Sequence, residues 1–315
     1  MSTQIPGPGD AGPDEKPAPE SPAQLLVQLR LGEQVDQLRD GTRRLTLGEP
    51  AVHPTRVALR RLRAALGTFA SLLDEEVTEP VRADLQWAAR ELGQARDDEV
   101  VSETLTALLA EEPDAAVPEA MLRRMQSDLR PRESEEVADP RVVLDADRYQ
   151  RLLAALEGLV AAPPWTEAAS RPAHDVLPPL VTKDWKRLRR RIWAAVEAEG
   201  LPHHDEALHD ARKAAKRLRY AAETLKPAFE AAGRLAKQAE ALQALLGDHQ
   251  DAVVARQRVL LLAEAADRDG ASSFGYGRLD ARLQLRAESL AADVPRVWAE
   301  VVRPQHNPVV GGRTS

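Results

Sequence analysis

Two stretches of this chain place one histidine and several basic residues at matched offsets. They read HPTRVALRRLR at residues 53–63 and HDARKAAKRLR at residues 209–219. In the first, Arg56, Arg60 and Arg63 follow His53 at offsets 3, 7 and 10; in the second, Arg212, Lys216 and Arg219 follow His209 identically. On a helix these offsets fall at about 300°, 340° and 280° from the histidine, so each set forms one stripe of about three turns. An arginine fork matches phosphate oxygens, and lysine adds a compact positive charge. The chemistry is therefore anion binding, and a stripe of this length suits an extended or polymeric anion. Arg61 and Arg217 also repeat, but at about 80°, away from the stripe. His53 and His209 are expected at the starts of their helices, where free amides favour anions, and Pro54 suits a first turn. Each histidine can equally pack or hydrogen-bond locally.

An apolar face flanks the stripe, carried by Leu59, Leu62, Leu66 and Phe69 in the first copy. Ala211, Ala215, Leu218, Ala222 and Leu225 take that place in the second. No acidic partner is expected on the same helix at i, i+4, so compensation must come from outside. One reading supplies it from neighbouring acids, with Asp97, Asp98 and Asp251 as candidates. The other supplies it from a bound anion, with Asp97 and Asp251 orienting arginines behind it. Lys183, Lys186 and Arg190 add a basic repeat inside KDWKRLRRR (183–191).

Other chemistries find less support. There are no cysteines, which removes disulfides, thiolate zinc sites and cysteine nucleophiles. His203, His204, Asp205 and His209 could suggest a metal site. The pair 203–204 lies beside Pro202 and has no counterpart in the first copy, so no metal is expected. No phosphate-binding glycine loop, nucleophile elbow or catalytic carboxylate pair is present. No cofactor or catalytic residue is assigned, and an enzyme is not expected. Two alternatives stay open: a phosphatase or phosphotransferase using His53 or His209 as phosphoryl acceptor, and an RNA- or protein-interaction scaffold.

The elements that must position these residues are helices. The chain has 315 residues, 43% hydrophobic and 30% charged but only 3% aromatic. A core built from Leu, Ala and Val at helical spacing favours an all-α fold. Helices are predicted over 23–45, from His53 to about 73, and over 78–110, 118–130 and 145–161. Others are predicted over 180–199, through the His209 segment, and over 229–268 and 276–302. Residues 1–22 and 303–315 read as disordered tails, and the proline-rich stretch 162–179 as a linker between halves at about 23–161 and 180–302. No secretory signal or membrane-length apolar run appears, which points to the cytoplasm. A net charge of −7 argues against general nucleic-acid binding. The repeat continues past the basic helices: LGQARDDEVV (92–101) and LGDHQDAVVA (246–255) follow at similar distances. Self-similarity on this scale implies a duplicated helical unit.

HPTRVALRRLRAALGTF followed by LQWAARELGQARDDEVV resembles the CHAD domain, the conserved histidine α-helical domain. HDARKAAKRLRYAAE followed by LQALLGDHQDAVV resembles its second half. The resemblance covers roughly residues 23–302. It implies two four-helix-bundle-like halves related by internal pseudo-two-fold symmetry. It also implies binding of inorganic polyphosphate at a basic surface or pore between them, and for some members localisation at polyphosphate granules. Many members carry a CYTH triphosphate-tunnel domain; this sequence is expected to be a stand-alone CHAD domain, which removes the main reason to expect triphosphatase activity.

Overall fold

A computed structural model describes residues 17–93, 101, 104–110, 119–129 and 139–302. Its helices are α1 (Ala23–Thr46), α2 (Val52–Thr68), α3 (Glu75–Glu91), α4 (Glu119–Leu129), α5 (Pro140–Asp145), α6 (Asp147–Ala161), α7 (Ala173–Glu197), α8 (His204–Leu225), α9 (Glu230–Arg268) and α10 (Phe274–Val301). Residues 104–110 are also helical. No strand occurs among the described residues, so the fold is all-α as the apolar spacing predicts. None of these helices is long and apolar enough to cross a membrane.

The duplication seen in the motifs extends to burial. Ala23, Val27, Leu31, Gln34, Leu38 and Leu45 are buried on α1; residues 150 positions later, Ala173, Leu177, Val181, Asp184, Leu188 and Ala195, are buried on α7. At a shift of 156, Ala58, Leu59, Leu62 and Leu66 of α2 match Ala214, Ala215, Leu218 and Ala222 of α8. At a shift of 154, Val81, Leu85, Ala88 and Leu92 match Leu235, Ala239, Leu242 and Leu246. One continuous hydrophobic core contains all three pairs. The starts of α1 and α7 are joined reciprocally. The Ala23 amide donates to the Arg171 carbonyl at 2.9 Å, and the Ala173 amide to the Ser21 carbonyl at 2.8 Å. Reciprocal contacts of this kind are what a local two-fold relation produces.

A second, smaller core lies at the far end of α9 and α10. Leu105, Leu108, Leu109 and Met125 pack there with Val259, Tyr276, Leu279 and Leu283. Residues 104–110 and α4 thus join the helices of the later half.

Three local expectations need correction. The proline-rich stretch is a connection only to Pro172, because α7 begins at Ala173 and carries Pro178 and Pro179 inside it. Those prolines remove two intrahelical hydrogen bonds, but Ala173, Leu177 and Val181 are fully buried, and packing overrides the local cost. The His53 helix ends at Thr68, followed by a short 3₁₀ turn at Ala70–Leu72. His209 is the sixth residue of α8, not an end residue, because the helix already starts at His204. The expected tails at 1–16 and 303–315 lie outside the described residues.

Candidate anion-binding site

The two basic helices, α2 and α8, pack against one another. Each is held on its other side by the helices of its own copy. Residue types at the repeated Leu-Gly explain how the stripe is set. Arg56 lies over Gly93, with its guanidinium donating to the Gly93 carbonyl at 3.4 Å. A Cβ at Gly93 would stand 2.5 Å from an Arg56 terminal nitrogen. In the second copy a Cβ at Gly247 would stand 3.4 Å from Arg212. Glycine lets the Arg56 guanidinium lie directly on the backbone at position 93, while at position 247 the approach is an ordinary van der Waals contact.

Arg56 and Arg60 of the first copy converge with Arg212 and Lys216 of the second. All four side chains belong to half-buried residues. Burial pushes the Lys216 ammonium down to about 8; after burial, Arg212, Arg60, Arg56 and Arg219 each disfavour its charge. Arg60 is lowered for the same reasons, burial first, then Arg56 and Arg212, while a hydrogen bond to Tyr220 acts in the opposite sense. Among the described residues, no carboxylate lies within 4.0 Å of Arg60, Arg212 or Lys216.

The other predicted basic residues have separate surroundings. Arg63 stands at the exposed edge, where partial desolvation, then Arg82 and Arg217, lower it. Arg217 is committed: its Nε donates to the buried Asp184 at 2.7 Å and a terminal nitrogen to the Gly67 carbonyl at 2.8 Å. Asp184 also accepts from Thr68 at 2.7 Å. Arg219 pairs with Glu223 on its own helix at 2.8 Å and with Glu240 at 2.9 Å. This corrects the expectation that α8 supplies no i, i+4 acid. Glu223 also receives Arg30 at 2.5 Å and Arg61 at 3.4 Å, so three guanidiniums surround one carboxylate. Arg61 and Arg219 further approach the Tyr220 ring, at 5.4 and 5.9 Å.

His53 is an exposed residue at the second position of α2. His209 is half-buried, and its ring is lowered by burial first, then by Lys213 and Arg212, with Gln250 as hydrogen-bond partner. Lys183, Lys186 and Arg190 are exposed on α7, around the buried Asp184. The shift of 150 explains why α1 has no basic copy: the matching residues are Glu33, Asp36 and Asp40. Asp251 is exposed on α9, one turn after Gly247, and Asp97 lies outside the described residues. Among the described residues no group of three His, Asp or Glu is placed to hold a metal ion.

Sequence reasoning did not assign Gly93, Gly247, Asp184, Tyr220 or Glu223. The glycines and Glu223 carried a readable signal, one in the repeated Leu-Gly and the other four residues after Arg219. Asp184 carried none, because its role depends on α2 and α8 meeting over α7.

Fold and site define an all-α protein built from a duplicated helical unit with a cationic crossing at its centre. The family model of the CHAD domain matches residues 29–260, and the chain belongs to that family. It is 34% identical over 279 residues to "Uncharacterized protein MT2285" of Mycobacterium tuberculosis (strain CDC 1551 / Oshkosh), covering 86% of this chain and 52% of that protein. The same figures hold for "Uncharacterized protein Rv2226" of strain ATCC 25618 / H37Rv. The chain thus spans about half the length of the curated relatives it matches. Among solved structures, PptA from Streptomyces chartreusis superposes with a TM-score of 0.67 at 20% identity, over 89% of this chain and 100% of that one. The CHAD domain from the plant Ricinus communis gives 0.63 at 22% identity, over 91% and 94%. Both share the fold.

Proposed function

We propose that this protein binds inorganic polyphosphate across the crossing of α2 and α8, without transforming it. One observation carries the reading: cations from both copies meet, half-buried, and no described carboxylate pairs with Arg60, Arg212 or Lys216. Like charges held together lower each other's protonation, and an anion lying across them removes that penalty. Serial phosphates suit serial cations, and counterion release then drives binding, as on nucleic-acid backbones. The resemblance to the CHAD family supports polyphosphate as that anion, and recruitment to polyphosphate granules in the cytoplasm follows as the cellular role. The net charge of −7 disfavours RNA away from the crossing.

Calorimetric titration with long-chain polyphosphate tests this. Two charge-assisted contacts at about 1.5–3 kcal/mol each predict that Arg60→Glu with Lys216→Glu weakens binding by on the order of 100-fold or more. Affinity should also fall steeply with salt. Unchanged affinity in the double variant removes the site. RNA competing equally at fixed salt favours the scaffold reading, and phosphate release or a labelled His53 or His209 favours catalysis.

A further inference from the structure

A cavity opens beside the end of α7, and no arginine or lysine of the basic stripes lines it. It occupies about 580 Å³ between the end of α7, the α7–α8 connection, and helices α8, α9 and α10. That volume falls within the range of small-molecule sites. Its apolar wall includes Val196, Leu208, Ala287 and Ala291, and its polar groups include Glu199, His204, Asp205, His249, Arg256 and Glu288.

The polar groups are almost uniformly acceptors. His249 is 2% exposed, and its Nε2 lies 3.3 Å from Asp205 Oδ1. A carboxylate only accepts, so Nε2 carries the hydrogen. Burial lowers the His249 ring, which keeps it neutral near pH 7 and leaves Nδ1 as an acceptor. That Nδ1 is buried with no hydrogen-bond partner among the described residues. His204 Nδ1 lies 3.1 Å from the Ala195 carbonyl and must donate. Arg256 and Gln284 are the exceptions, and both are occupied: Arg256 Nε donates to Asp280 at 2.8 Å and a terminal nitrogen to Gln284 Oε1 at 3.3 Å, while Gln284 Nε2 donates to Glu288 Oε1 at 2.9 Å. With Asp280 balancing Arg256, the carboxylates Glu199, Asp205 and Glu288 leave the lining negative.

We propose that this cavity is a second ligand site, which takes an organic ammonium or amidinium with an apolar body. The cationic N–H donors supply the hydrogen bonds that Asp205, Glu288 and the buried His249 Nδ1 can accept. The apolar body fills the space beside Val196, Leu208 and Ala287. A carboxylate or phosphate ligand is disfavoured by the same residues. The site is chemically opposite to the crossing and shares none of its basic-stripe residues.

Calorimetry of the full chain with benzylamine tests the proposal, with benzoate and benzyl alcohol as controls of matched shape. The expected result is saturable binding of one benzylammonium, with both controls at least about tenfold weaker. Asp205→Asn with Glu288→Gln, both at exposed residues, should weaken benzylamine at least as much while leaving polyphosphate titration unchanged. The imidazole nitrogen signals of His249 should move on adding benzylamine. No saturable binding, equal binding of benzoate, or an affinity unmoved in the double variant overturns the proposal.

Discussion

The two copies of the helical unit share a frame but differ in how they handle charge. Buried positions coincide at constant shifts, and each copy lays one arginine over one glycine. Around that frame the polar residues diverge. Arg217 of the second copy reaches Gly67 of the first; Arg61 of the first reaches position 223 of the second, the equivalent of 67, and finds a glutamate. The buried polar residue facing this seam is Asp184 in one copy and Gln34 in the other. Packing geometry has thus been retained where volume is at stake, while charge has been redistributed where only hydrogen bonding is at stake.

The sharpest way to separate the copies is at that buried pair. Asp184→Ala leaves Arg217 and Thr68 without their partner and should cost on the order of 3 kcal/mol in denaturant unfolding. Gln34→Leu should be neutral or stabilising within about 1 kcal/mol, since neither amide atom has a hydrogen-bond partner among the described residues. Equal losses at both positions would show that the difference in charge is irrelevant to stability. A smaller effect is expected on the outer faces. Reversing Lys183, Lys186 and Arg190 to Glu should weaken polyphosphate binding about tenfold, at about 0.5 kcal/mol for each exposed charge. Replacing Glu33, Asp36 and Asp40 with Lys should strengthen it, by less.

The crossing predicts a pH dependence. Lys216 in the free protein titrates near 8, and a bound anion raises it. Binding above pH 8 must therefore take up a proton, and affinity should fall as pH rises, by at most about tenfold per unit. Below about pH 7 Lys216 is charged in both states and this dependence vanishes. Lys216→Arg should abolish it, and proton uptake measured in two buffers of different ionisation heat checks the sign. Smallest is the contrast between glycines. Gly93→Ala should displace Arg56 and weaken binding about threefold, roughly 0.6 kcal/mol. Gly247→Ala meets Arg212 at 3.4 Å and should change little.

Much of this was legible in the chain. Helical class, the repeat and four of the converging cations followed from the spacing of Leu, Ala, Arg and Lys, because amphipathic periodicity encodes which face is buried. What escaped was pairwise and non-local. Asp184 lies in a basic run and reads as a solvated charge, yet it is the buried anchor of Arg217. Arg219 reads as a member of the stripe, yet Glu223 and Glu240 claim it. Prolines 178 and 179 read as a break, and only the fully buried neighbours on α7 explain why the helix continues through them.

The joint at Pro22 and Pro172 carries a last consequence. Proline has no side chain able to cap a helix, and neither α1 nor α7 has a side-chain cap. Each helix instead has its first amide satisfied by the backbone ahead of the other helix. At this joint the molecule has the form of an isologous dimer whose two subunits have been spliced into one polypeptide. A fragment carrying one subunit alone would begin with an orphaned amide, and the partner shaped to accept it would be a second copy of itself.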